Sequence, residues 1–165
     1  MARRRFVRDR HGRIRPGLEA PERDLLRMLP QQARELVDHD DPTAQRLFPV
    51  AYPDDAAAQS DYHEMMGGQL LEHHHQALDA MVSTVDAATI DADELAGWLG
   101  AVEVLRLLLG TQLDVSEDMS EIDPLDSDDP RADQFTVYQY LSMLQGEIIE
   151  ALADALPEAG TAPDG

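Results

Sequence analysis

Between Asp93 and Gly110 the chain is apolar almost all the way round a helical circumference, so a helix there has no face it can leave in water. Such a helix must be enclosed by other elements, which makes it the predicted centre of a bundle. Its apolar run, Ala96 to Gly110, contains Glu103 and Arg106 and is too short to span a bilayer. Gly97, Gly100, Ala101 and Val104 give one side of it small side chains, where a neighbouring backbone can come close. Gly110 sits where a C-terminal cap belongs.

The flanking segments supply the enclosure. Residues 4–18 alternate about His11-Gly12, with Phe6-Val7 before and Arg13-Ile14-Arg15 after, and predict a short hairpin that must pack on helices to persist. Pro21-Glu22 opens a helix carrying Leu25, Leu26, Met28, Leu29, Ala33, Leu36 and Val37 at helical spacing, with Pro30 inside it predicting a kink or two short helices. Asp41 and Pro42 read as the cap and first residue of a short helix ending before Pro49. Pro53-Asp54-Asp55 starts a long helical segment with a stripe of Tyr62, Met66, Leu70, Ala77, Met81 and Val85. Gly67-Gly68 in its middle predicts a bend or close packing. A last helix runs from about Gln134 to Leu156.

The expected fold is mainly α: a helical bundle of four to six helices with a short N-terminal β-hairpin. It forms one domain over residues 1–156, with a basic hairpin arm at 1–18 and an acidic loop at 114–133. Residues 157–165 are expected to be a disordered tail. A chain of 165 residues can bury a sizeable core without staples.

Charge is unevenly placed. Residues 1–15 hold seven arginines and one acid, whereas the remainder sets six arginines against thirty-two acids, for a net charge of −20. That balance repels nucleic acid and anionic lipid at long range, so any nucleic-acid role would fall to the arm, through Arg3, Arg4, Arg5 and Arg8. Those arginines can equally pair with the protein's own acids. The absence of cysteine excludes disulfides, thiolate ligands and thiol switching within the chain. The first residues lack the apolar stretch of an export signal, and a cytoplasmic protein is expected.

No motif carries catalysis. There is no Gly-x-Ser-x-Gly elbow, phosphate-cradling glycine loop or nucleotide fingerprint, so neither an enzyme nor a cofactor is expected. His73-His74-His75, with His63 earlier, invites a metal reading. Three consecutive positions spread around about 200° of a helix, however, and a partly packed helix face is the plainer account. Asp123, Asp126, Asp128 and Asp129 fit no calcium-loop register because Pro124 and Pro130 interrupt it. Arg106 is the one cation between Arg46 and Arg131, and a buried guanidinium needs a partner. Glu103, or Asp54 and Asp55, are the expected carboxylates.

Three segments carry a resemblance. Asp41-Pro42 with Arg46-Leu47-Phe48-Pro49, Ala51-Tyr52 and Asp54-Asp55 is one; Trp98-Leu99 with Leu105-Arg106-Leu107-Leu108-Leu109-Gly110-Thr111-Gln112-Leu113 is another. Tyr138-Gln139-Tyr140-Leu141 with Leu144-Gln145 is the third. Together they resemble an actinobacterial family long catalogued as of unknown function, whose members have been described as AosR-like oxidative-stress regulators. The resemblance implies a cytoplasmic, non-enzymatic regulator of transcription that acts through protein partners in the transcription or proteolysis machinery. A nucleic-acid-binding module is the alternative, and a homodimer is compatible with either. A thiol switch associated with such regulators has no counterpart in a chain without cysteine. Arg46, Phe48, Tyr52, Asp54, Asp55, Trp98 and Arg106 become the candidate set, as a structural clasp around Arg106 or a partner-binding surface.

Overall fold

Asp91 starts the central helix with a reciprocal cap: its carboxylate accepts the Glu94 N–H at 2.7 Å while Glu94 accepts the Asp91 N–H at 3.1 Å. The computed structural model describes residues 4–39, 41–48, 50–113 and 130–155. It consists of β1 (Phe6–Arg8), β2 (Ile14–Pro16), α1 (Ala20–Asp38), a short 3-10 helix (Pro42–Leu47), α2 (Ala56–Thr84), α3 (Ala92–Gln112) and α4 (Ala132–Ala155). Over the described residues it is thus a four-helix assembly with an N-terminal antiparallel hairpin, as the patterning predicts. Most of the predicted acidic loop and all of the predicted tail lie outside the described residues.

α3 is the centre. Leu95, Trp98, Ala101, Val102, Val104, Leu105 and Leu108 are all buried on it, and α2 and α4 flank it. The small side chains do what their pattern predicts: a Cβ at position 97 would lie 2.9 Å from the Ala80 Cβ, and one at position 100 would lie 3.3 Å from the Ala77 Cβ. α2 therefore rests almost directly on the α3 backbone. Leu141, Leu144 and Ile148 of α4 and Leu26, Ala33 and Val37 of α1 complete the core.

The hairpin closes one side of that core. β1 and β2 pair in the register Phe6↔Pro16, Val7↔Arg15, Arg8↔Ile14, and Gly12 takes the turn at φ 78°, a conformation glycine adopts without a Cβ penalty. Ile14 exchanges both backbone hydrogen bonds with Ile90, each at 2.8 Å, which ties the hairpin to the α2–α3 connection. Phe6 and Ile14 point inward, with the Phe6 ring edge-on to Trp98 at 5.9 Å.

Three local breakers leave their helices continuous. Pro30 does not divide α1, because it lies in the buried stripe Leu26, Pro30, Ala33 and Val37, where packing of its ring offsets the lost backbone bond. Gly110 does not end α3, which continues to Gln112, with the Leu113 N–H reaching back to Leu109. Gly67-Gly68 neither interrupts α2 nor marks a close approach at Gly68, since a Cβ there would meet nothing within 4 Å. Gly68→Ala should accordingly raise stability by about 0.5–1 kcal/mol, the difference in helix propensity, as read from urea melts. Among the described residues no helix is long and apolar enough to cross a membrane.

Candidate functional site

The connection between α1 and α2, residues 39–55, is held down at several points. Its 3-10 helix buries Ala44 and Leu47 against the core and leaves Pro42 and Gln45 exposed. The next residue, Phe48, is half-buried and sits between two imidazoles, 5.6 Å from the His63 ring and 5.9 Å from the His74 ring, nearly perpendicular to both. The chain then turns across the start of α2. Gln59 Oε1 accepts the Ala51 and Tyr52 N–H groups, each at 3.0 Å, and Asp55 caps α2 by accepting the Ala58 N–H at 3.0 Å.

These bonds fix the backbone of residues 51–55 while its apolar side chains face water. Val50 is 66% exposed and Tyr52 49% exposed, and the Tyr52 ring lies 6.2 Å from Tyr62 on α2. Met65, one turn beyond Tyr62, is 71% exposed. Along the whole of α2 only Leu78 and Met81 are buried, both in its second half. Its first half is therefore a face that the bundle does not cover. Asp54, Asp55, Asp61 and Glu64 surround it, all exposed.

The consecutive histidines are sorted among different partners. His74 Nε2 lies 3.1 Å from the Leu47 carbonyl, so that nitrogen carries the proton. His75 Nε2, a buried atom, lies 2.8 Å from an Asp38 carboxylate oxygen but off the line of a hydrogen bond. His73 is exposed. His74 thus holds the end of the 3-10 helix against α2, and His75 lies beside the end of α1. Among the described residues, no group of three or more His, Asp or Glu side chains is gathered as a metal-ligand set.

Arg106 departs from expectation. Its guanidinium reaches no carboxylate among the described residues; it donates to Ser142 Oγ at 3.0 Å, Gln145 Oε1 at 2.7 Å and Tyr138 Oη at 3.4 Å, and lies 5.3 Å over the Tyr138 ring. All three partners are on α4. Arg106 is only partly buried, so neutral acceptors, the aromatic face and solvent together satisfy its charge. The expected clasp of residues 46–55 around Arg106 is therefore corrected: Asp54 and Asp55 attend the start of α2 instead, and Glu103 faces water. Trp98 is separate again, fully buried, its indole N–H donating to Thr84 Oγ1 at 2.6 Å. Of the candidate set, Phe48, Tyr52, Asp54 and Asp55 share one segment, and Trp98 and Arg106 do not join it. The Arg46 side chain lies outside the described residues. The sequence reading missed Gln59, His63 and Met65 at this site; only Tyr62 and Met66 carried a signal, through the α2 stripe.

The hairpin arginines are largely engaged within the chain. Arg5 bridges Glu22 at 2.6 Å and Glu147 at 3.0 Å and lies over the Tyr140 ring, whose hydroxyl donates to Glu22 at 3.1 Å. Arg4 lies 3.9 Å from the Asp154 carboxylate, and Arg8 donates to the Asp154 carbonyl at 3.2 Å. Arg3 lies outside the described residues. Burial pushes the Glu22 pKa up, but the Glu19 N–H, Arg5 and Tyr140 outweigh it and hold the carboxyl below its ordinary range. Burial, and then the Glu22 charge, push the Tyr140 phenol well above its usual value.

A carboxylate with a lowered folded-state pKa adds stability that is complete above its unfolded pKa and is lost as pH falls through the lowered one. Glu22→Gln should thus cost about 1–2 kcal/mol at neutral pH, and the gap from the unsubstituted protein should close on acidification below about pH 4. Urea melts at pH 7 and pH 3 check this; a gap that persists at low pH would contradict it.

Comparison with known proteins adds one assignment. No curated protein and no solved structure matches the chain. The family model described as a domain of unknown function, DUF2017, matches residues 3–152, and a match over nearly the whole chain means that this protein belongs to that family.

Proposed function

We propose that this protein is a non-enzymatic regulatory protein that docks a protein partner through residues 48–66. One observation carries the reading: Val50, Tyr52 and Met65 are held out to solvent on a segment whose backbone is fixed by Gln59 and Asp55. A preorganised surface with aromatic and methionine side chains binds without first losing loop entropy, and such residues are enriched among interface anchors. The absence from the sequence of a recognisable catalytic motif supports the non-enzymatic part. The resemblance to AosR-like proteins extends the reading to a cytoplasmic, transcription-associated role in oxidative stress, with a partner in the transcription or proteolysis machinery.

Capture from an actinobacterial lysate tests it. The tagged full chain should retain a reproducible partner that Tyr52→Ala/Met65→Ala loses while keeping the same circular dichroism spectrum. Equal recovery by both proteins, or none above control, would refute docking at this surface.

A nucleic-acid role for the arm draws on exposed Arg4, Arg8 and Arg15, which line a groove of about 360 Å³ beside Val7. It predicts binding that weakens steeply with salt and disappears when Arg4 and Arg8 are neutralised. The intramolecular pairing of Arg5 and the charge of −20 favour the protein-docking reading.

A further inference from the structure

We infer that the partner's contacting segment is a basic amphipathic one, apolar side chains on one face and Lys or Arg along its border, an inference that rests on docking at residues 48–66. The apolar part follows from Val50, Tyr52 and Met65, with half-buried Tyr62 and Met66 extending the same surface. The charge follows from what surrounds them. Asp54, Asp55, Asp61 and Glu64 are exposed about the patch, and from Leu47 to Leu105 the chain contains eleven acids and not one lysine or arginine.

An acidic segment approaching this surface would meet like charge on every side, whereas a basic one pairs at the rim without burying either charge. Rim pairs of this kind mainly set partner choice and association rate, while the apolar anchors hold the complex. A second copy of the chain is a poor occupant. Packed face to face, it would bring the same acids together.

The test uses the full chain and a fluorescent synthetic helical peptide with leucines on one face and lysines on the other. Controls replace every leucine by serine, or every lysine by glutamate. The Leu/Lys peptide should bind at least about tenfold more tightly than the Ser/Lys peptide, and the Leu/Glu peptide should not bind. Two variants should each weaken Leu/Lys binding about tenfold: Tyr52→Ser/Met65→Ser through the anchors, and Asp54→Asn/Asp61→Asn/Glu64→Gln through the rim. The second, which spares the Asp55 cap, should also flatten the salt dependence. Amide shift changes should concentrate in residues 48–66.

Equal binding of the Leu/Lys and Ser/Lys peptides, or shift changes spread over other acidic faces, would reduce the interaction to general charge attraction and overturn the proposal. Binding of the Leu/Glu peptide at this surface would overturn the charge inference while leaving docking there intact. Self-association abolished by Tyr52→Ser would assign the surface to a second copy, which also overturns it.

Discussion

Alanine at Trp98 will destabilise the protein by about 3–5 kcal/mol, the usual range for emptying a fully buried aromatic site. Trp98 is fully buried, donates its indole N–H to Thr84 Oγ1, and meets the Phe6 ring edge-on. The Thr84 hydroxyl in turn donates to the Ala80 carbonyl at 2.6 Å, so one side chain links α3, the last turn of α2 and the hairpin. Removing it leaves a cavity under the hairpin and takes away the donor that the Thr84 oxygen accepts. The loss should therefore reach the strands: amide exchange at Phe6 and Ile14 should accelerate more than at Leu141 or Leu144, which lie on α4. Because this is the chain's single tryptophan, unfolding is best followed by circular dichroism in urea. Thr84→Val, which keeps the shape and removes the acceptor, should cost about 1–2 kcal/mol. A Trp98→Ala loss under 1 kcal/mol would mean that Trp98 does not organise this junction.

The second large effect belongs to Gly97. Helix propensity alone favours alanine over glycine there by about 1 kcal/mol. The neighbouring helix reverses the sign, since a Cβ at position 97 would come within 2.9 Å of the Ala80 Cβ, and both atoms are carried by helical backbones that cannot rotate away. Gly97→Ala should thus be net destabilising. Gly97→Val should cost about 2–3 kcal/mol by forcing α2 off α3. Ala80→Gly should rescue part of the loss, and a double-mutant cycle should return a coupling above about 0.5 kcal/mol. Additive effects would place the strain elsewhere. Gly68→Ala is the internal contrast: the same exchange on a helix, in open space, with the opposite sign.

The two glycines show how far residue patterns carry. The small face of α3 was readable because Gly97, Gly100 and Ala101 recur at helical spacing on an otherwise apolar helix, and only a close neighbour accounts for them. Gly67-Gly68 offered the same residue type without that context, and the two readings diverged. Pro30 and Gly110 were likewise read as local interruptions, yet both lie at buried positions where packing outweighs local preference.

The candidate site divides in the same way. Phe48, Tyr52, Asp54 and Asp55 are neighbours in the chain, so one segment carries them together. Arg106 lies 32 to 39 residues from the Tyr138, Ser142 and Gln145 that hold it. No spacing rule could prefer these to Glu103 one turn away, and electrostatics alone pointed to a carboxylate. The packing of α4 on α3 supplied neutral oxygens and an aromatic face instead.

Helix positions, the hairpin, the apolar centre and the division into an acid body and a basic head were determined by the sequence alone. Each depends on forces acting within a turn or two of the chain, or on composition. Tertiary structure alone decided that Arg5 is locked between Glu22 and Glu147, that His74 holds the Leu47 carbonyl, and that the first half of α2 stays uncovered. Each of those outcomes depends on which distant surfaces meet, a choice made by the shape and burial of the whole core and left open by local periodicity.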